Sequence, residues 1–529
     1  MIDLQRITTS RNALTLASVP QGFAPLLLAD LTRAAKARTL YIAPDEAAMR
    51  AIADAVPFFA PELEILILPG WDCLPYDRAS PSVAVTSQRM STLQALQQPA
   101  KKKQLVVTTI GAVIQKYVTP FRIRQTGERL AAGREISRER LASLLQSNGY
   151  FRVDTVADAG EFAIRGSIVD LFPAGSEVGL RLDFFGDEIE SIRRFNPSDQ
   201  RSIDQVEHFD ILPAVEALMD EDAIKRFRVG YRERFGVTAT GDPLYQAVSE
   251  GRRLSGMDHW LPLFEERMAT IFDHVGADAL VIRDSGSIAA GQSRLDSITD
   301  YHENRVKAQA AEPGSYRPLP PEMLYLSSGE LDQLFDDNAA HLITPFAQPG
   351  SASVIDFGIA AARDFAPERT QKANVYEAVA AHLKSLHSKK TKTIIASYSI
   401  GARERLKGLL TDHGAPSIVD ADGWQQALGL AAGRTAMVVL PLDHGFSTPD
   451  IAVLSEQDML GDRLVRRQKR RKSADAFMAE LAALTPGDLV VHQDHGIGRY
   501  EGLISIPVGN SPHDCVALTY SGGDKLYVP

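Results

Sequence analysis

The chain has little cysteine: two residues in 529, Cys73 and Cys515, far apart. That excludes a thiolate zinc site and fits a reducing compartment. No apolar run approaches the roughly 18 residues a bilayer span needs. The first ten residues, MIDLQRITTS, carry an early Asp and no basic segment, so they make a poor secretory signal. The expectation is a cytoplasmic protein with no membrane contact. Basic charge is also in deficit: Lys and Arg number 57 against 67 Asp and Glu, a net charge of −10. This argues against a general nucleic-acid coat and leaves room for one local basic contact. Two hydrolase signatures, G-x-S-x-G and H-E-x-x-H, are missing. So is the phosphate loop G-x-x-x-x-G-K-[ST], and that absence is the most informative, because the chain opens where such a loop belongs.

Ala13–Val19 reads as a short apolar strand, Leu26–Ala37 as an amphipathic helix and Thr39–Ala43 as a second strand. The first turn of such a βαβ unit ordinarily cradles phosphate with backbone N–H groups and a helix N-terminus. Here the turn is Ser18-Val19-Pro20-Gln21-Gly22-Phe23-Ala24-Pro25, with one Gly, no Lys and two prolines that lack N–H donors. The scaffold suits nucleotide and the turn does not.

Hydrophobic content of 44% and charge of 23% are ordinary globular values, and the length suggests roughly three to five domains. Residues 1–120 alternate strand and helix, with Leu63–Leu68 and Gln104–Thr109 as continuous apolar strands; this predicts a parallel sheet covered on both faces. Residues 121–212 read as an inserted α+β module. Ser137–Asn148 is its helix, and Phe162–Phe172 and Leu180–Phe195 are the two alternating arms of a half-exposed hairpin. Residues 213–345 complete the first domain, with Ala311–Pro321 as an extended strap. Residues 346–458 form a second α/β domain. Residues 459–485 form a long helix with a basic half, Arg463–Lys472. Residues 486–529 hold four short strands like those of a small β-barrel.

Four blocks bear a resemblance to a known family. They are Leu68–Asp77 (LPGWDCLPYD), Gly160–Phe185, Val453–Gly461 (VLSEQDMLG) and Gly487–Pro529. In this order they resemble the N-terminal half of the bacterial transcription-repair coupling factors (Mfd). The first two are similar to the repair helicase UvrB as well; the fourth resembles the Tudor-like, polymerase-interacting module of CarD-type transcription factors, which UvrB does not have. Ser80-Pro81 leads almost directly into a helix, leaving no room for UvrB's DNA-inserting hairpin. The resemblance implies a degenerate helicase-like parallel-sheet domain, an inserted UvrA-binding module, a second α/β domain and a Tudor-like barrel. It also implies a function: holding RNA polymerase stalled at a lesion and recruiting UvrA. A motor using ATP and Mg²⁺ and gripping double-stranded DNA is expected outside this stretch, with no cofactor and no enzyme activity within it. A UvrB-type ATP-dependent helicase and a CarD-like regulator are the alternative readings.

By this resemblance, Arg165, Arg181 and Phe185 contact UvrA. From the residues alone, period two puts Arg181 and Phe185 on one face of a strand and Leu180, Leu182 and Phe184 on the other. An exposed Arg–Phe pair has hot-spot composition. The bland alternative pairs the arginines with Glu161, Asp183 or Asp187 and buries Phe185. The strand at Leu503, Ile504, Ile506 and Pro507 is the expected contact for the polymerase β subunit, by edge pairing; the alternative makes Ile506 barrel core. Arg466, Arg467, Arg470 and Arg471 are either a DNA contact or the solvated face of a linker helix. Trp71 and Tyr76 stack on a base or pack; packing is favoured. His492 and His495 lack a third ligand nearby, so no metal is expected.

Overall fold

The structure is a computed structural model. It describes residues 4–461 apart from 177, 237–240, 312–315 and 432, and then residues 487, 489–492, 496–508, 511–520 and 524–528. Two compact units divide the chain, Met1–Gly461 and Asp462–Pro529.

The first unit is built on a seven-stranded sheet in which every pairing is parallel. Its spatial order is Val354–Asp356, Thr15–Ala17, His341–Ile343, Leu280–Asp284, Thr39–Ala43, Gln104–Thr109 and Glu64–Leu68. The inner strands Thr39–Ala43 and Gln104–Thr109 are buried at every position, as continuous apolar runs require when helices cover both faces. The helix after the first strand is Ala24–Ala34, starting earlier than its apolar period suggests because Pro25 fits the first turn, where an N–H would go unused. Two of its strands, Leu280–Asp284 and His341–Ile343, lie within residues 213–345. Val354–Asp356 belongs to it too, and the expected boundary at 345 falls short of that strand. The expected strap is helical at both ends: Gly286–Ala311 runs into it and Pro321–Leu324 starts at its last residue.

The second sheet has the order Ala360–Ala361, Phe446–Ser447, Ile451–Ser455, Lys392–Ser397, Thr435–Val439 and Ile418–Asp420. It shares one core with the first. Trp424 lies edge-on to Phe59 at 5.0 Å between ring centroids, and Phe23 meets Phe446 at 5.2 Å. Leu28, Ile394 and Val453 are buried in the same cluster. The two α/β parts are therefore fused by apolar burial.

The insert carries a six-stranded sheet, ordered Ser202–Val206, Glu188–Phe195, Gly179–Phe185, Ile168–Leu171, Glu161–Arg165 and Phe151–Arg152. The expected two-armed hairpin is thus four strands. Two-residue turns at Gly166-Ser167 and Gly186-Asp187 fold each arm in half; both glycines hold positive φ, which a tight hairpin turn demands. Helix Arg138–Ser147, capped by Ser137, packs Leu141 and Leu145 against Leu180, Leu182 and Phe184. A buried ion pair staples the insert's exit to the first domain. Glu216 takes Arg89 Nε at 2.6 Å, Arg89 Nη2 at 3.1 Å and Trp71 Nε1 at 2.7 Å, with both charged side chains essentially sealed from solvent.

The second unit has four antiparallel strands in sequence order, Leu489–His492, Gly496–Val508, Ser511–Thr519 and Lys525–Val528. No pairing of first with last strand closes them into a barrel among the described residues. The basic stretch with Arg466, Arg467, Arg470 and Arg471 lies outside the described residues, as does His495. No described helix is long and apolar enough to cross a membrane.

Candidate partner-binding surfaces

The insert's sheet turns one face to its core and the other outward, and the outward face is a ladder of charge with an aromatic at its end. Along Gly179–Phe185 the burial alternates: Leu180, Leu182 and Phe184 go inward, Arg181 and Asp183 lie half-buried, and Phe185 is 79% exposed. Antiparallel register sets Asp170 opposite Arg181 and Asp183 close to Ser191 and Arg193. Asp170 is the hub. Its Oδ1 accepts Arg181 Nε at 2.7 Å, and its Oδ2 accepts Arg181 Nη2 at 3.0 Å and Arg165 Nη2 at 2.5 Å. Asp170 is 1% exposed beneath the two guanidinium groups, while Arg165 stays half exposed. Arg181 also stacks over Phe195 at 4.9 Å. The hydrogen bond to Asp170 pushes the Arg181 guanidinium still further into its charged range.

The structure thus brings Arg165, Arg181 and Phe185 onto one face and keeps Phe185 out of the core. The arginines do pair with an acid, but it is none of the three expected. Glu161 caps the N–H groups of Ala157 and Asp158, and Asp183 takes Ser191 and Arg193. Asp170 lies opposite Arg181 across the turn that follows Phe172, and the Gly166-Ser167 turn, which a single strand over 162–172 lacks, brings Arg165 back to the same carboxylate.

In the second unit, Gly496–Val508 pairs with Ser511–Thr519 along almost its whole length, placing Leu503 opposite Val516, Ile504 opposite Cys515, Ile506 opposite His513 and Pro507 opposite Pro512. On its other side, Leu489–His492 covers only Gly496 to Arg499. Gly487 N–H donates to Tyr500 O at 2.7 Å; among the described residues no strand pairs with that edge from Glu501 onward, which leaves it open there.

The first turn has no such readiness for an anion. Ser18 N–H donates to Phe346 O at 3.2 Å, Val19 N–H to Thr344 O at 3.0 Å, and Phe23 and Ala24 N–H to Pro20 O. Ser18 holds a positive φ of 53° to do so. The second sheet's loop presses in from the far side: a Cβ on Gly22 would fall 2.0 Å from the carbonyl oxygen of His444. Trp71 and Tyr76 are buried, which leaves neither ring free to stack on a base. Asp458 receives N–H groups from Ser455 and Gly445, a capping role. Among the described residues, no group of three or more His, Cys, Asp or Glu could hold a metal.

Comparison with known proteins follows the same order. Residues 129–216 match the UvrB interaction domain, 386–459 the MFD D3 domain and 484–529 the CarD-like/TRCF RID domain. Over 513 residues, 95% of this chain, the sequence is 32% identical to the transcription-repair-coupling factor of Escherichia coli (strain K12). This chain belongs to the transcription-repair-coupling factor family. Members from Haemophilus influenzae and Myxococcus xanthus are 29% and 30% identical, over 97% and 95% of the chain. It spans less than half of these relatives' length, 43% of the Escherichia coli protein and 44% of the Haemophilus one. Within the family frame, the Arg165–Asp170–Arg181 ladder falls inside the UvrB interaction match and the open strand edge inside the CarD-like match.

Proposed function

We propose that this chain is a two-ended adaptor. The outward sheet face of the insert docks UvrA through Arg165, Arg181 and Phe185, and the terminal sheet docks the β subunit of RNA polymerase along the strand at Leu503–Pro507. The observation that carries the reading is Phe185, a large aromatic left 79% exposed on the same sheet face as two arginines already fixed by a buried carboxylate. Rigid aromatic area next to an oriented guanidinium is the composition of a binding hot spot. The open edge after Tyr500 supports the second contact, since an unpaired strand accepts a partner strand by main-chain hydrogen bonds. Two modest contacts on one chain raise the local concentration of one partner near the other.

In this reading the chain works in the cytoplasm, holding excision-repair proteins near a polymerase stalled at a lesion. Displacement of polymerase along double-stranded DNA, and the ATP and Mg²⁺ that drive it, fall to the portion of the longer relatives that this chain does not span. The turn at Ser18–Pro25 contributes no nucleotide turnover, in keeping with its missing lysine and the N–H groups of Ser18, Val19, Phe23 and Ala24 already spent on backbone carbonyls. Arg466, Arg467, Arg470 and Arg471 are proposed as an auxiliary phosphate contact.

The test is paired capture. Arg181→Ala and Phe185→Ala are expected to lose UvrA, by about 2 kcal/mol or more each, and to keep polymerase. Ile506→Asp is expected to do the reverse. Loss of neither partner in any of these variants, or ATP hydrolysis by the chain that depends on Ser18–Pro25, would overturn the reading.

A further inference from the structure

Ligands in open α/β sheets settle beyond the carboxyl ends of the strands. In this chain that crevice is not filled. A cavity of about 360 Å³ remains between the ends of the first sheet's strands and the loop Pro441–His444 of the second. We propose that this cavity binds a small organic cation, an apolar body carrying one protonated nitrogen.

The chemistry of the lining carries the inference. Its body is apolar: Ala48 and Ile52 on one helix, Ile343 and Leu442 from the two sheets. Four prolines, Pro25, Pro44, Pro345 and Pro441, rim it, and each lacks an N–H. The nearby turn has spent Ser18 and Val19 N–H on the carbonyls of Phe346 and Thr344. Gln21, Ser285 and Tyr41 offer neutral donors, but no Lys or Arg is among the described lining residues.

Acceptors are not scarce. Asp284 faces the cavity from the first sheet and Asp443 from the second. Asp284 Oδ1 takes Gly286 N–H at 2.7 Å, but the Tyr41 hydroxyl stands 3.4 Å from Oδ2, longer than a good O–H···O bond. Asp443 takes the Tyr398 hydroxyl at 2.9 Å, and a carboxylate has room for about four such bonds. Burial pushes the Asp284 carboxyl above its ordinary range, as expected of a carboxylate without a cation at hand. The lining's one basic group, His444, is turned to Asp458 at 3.1 Å.

A phosphate would meet two carboxylates and no Lys or Arg, so the pocket disfavours the ligand that its place in the fold suggests. A protonated amine or amidine meets acceptors across an apolar bed, the arrangement of a small-molecule site of this size. Because its two carboxylates come from different sheets, an occupant would tie the two α/β parts together and raise the thermal midpoint of the chain.

The experiment uses the full chain with benzylamine, benzyl alcohol, benzoate and ATP as probes, read by saturation-transfer NMR and calorimetry. Benzylamine is expected to bind with a Kd on the order of a millimolar. Benzyl alcohol should bind about tenfold more weakly, a charged donor being worth that much more than a neutral one. Benzoate and ATP should not displace the amine. Asp284→Asn should weaken benzylamine about tenfold. Ala48→Leu, on the half-exposed face of its helix, should occupy part of the apolar bed and weaken benzylamine while leaving the fold intact. The proposal fails if the amine does not bind at about 10 mM. It also fails if alcohol and amine bind alike, if benzoate or ATP competes, or if Ala48→Leu binds benzylamine as the parent does.

Discussion

Replacing Asp170 by Asn separates two ways in which the insert's arginines could serve a partner. In the structure, one carboxylate holds both: three hydrogen bonds from Arg165 and Arg181 converge on a side chain that is 1% exposed. Asn keeps the shape and one acceptor but loses the charge. Both guanidinium groups are then freer to sample rotamers, and each long side chain that must be immobilised on binding costs about 0.5–1.5 kcal/mol. For two arginines the expected loss of UvrA affinity is about 1–3 kcal/mol, a factor of roughly 5 to 150. Calorimetric titration of UvrA into each chain measures it. A second readout is stability: cutting a buried charge from its partners costs about 3–5 kcal/mol when both ends are sealed. Here Arg165 is 50% exposed, so roughly 1–2 kcal/mol is expected after solvent screening. The competing idea is that UvrA reads net positive charge. Asp170→Asn adds one unit of it to the face and would then tighten binding. Unchanged or tighter affinity in a folded Asp170→Asn chain refutes the claim that these side chains act because they are held in place.

Other consequences are equally open to measurement. Glu216→Leu leaves Arg89 charged and buried and should cost about 3–5 kcal/mol in denaturant unfolding of the first unit; adding Arg89→Met should recover most of it. Gly22→Val drives a side chain into the His444 carbonyl, so the thermal midpoint should fall by an amount equivalent to about 1–3 kcal/mol of overpacking. Burial pushes His259 and His274 down to about 4 from an ordinary 6.5. As pH falls below about 6.5 the unfolded chain takes up these protons and the folded one does not. Stability should therefore be whole above that pH and fall towards pH 4, by on the order of 3 kcal/mol per ring. A thermal midpoint flat across this window, or a slope unaltered by His274→Leu, would contradict that burial.

The helicase-like opening was readable because its signals are local. Thr39–Ala43 is a strand by composition, and the structure keeps its bounds unchanged. Helix Arg138–Ser147 falls within the expected Ser137–Asn148, with Ser137 serving as its cap. The alternation through Leu180–Phe185 predicts which side chains face out, and Phe185 does. Reading failed where the outcome depended on a turn. Arg165-Gly166-Ser167-Ile168 folds back within a run that looks like one strand, and that turn brings Arg165 to the Asp170 that lies opposite Arg181. Similarly, Val354–Asp356 looks like the start of a new domain but adds to the first sheet by pairing with Thr15–Ala17.

By itself the sequence determined what the first turn is made of: one glycine, two prolines and no lysine, a composition that cannot cradle phosphate whatever surrounds it. It also determined, by period two, which face of the insert's sheet stays wet. Only tertiary structure decided what became of the crevice beside that turn. Gly22 meets His444, a residue some four hundred positions away in the chain, and Asp284 and Asp443 come to line one cavity. Those contacts are set by how two sheets bury a common core, and the chain's local preferences carry no record of distances between segments so far apart.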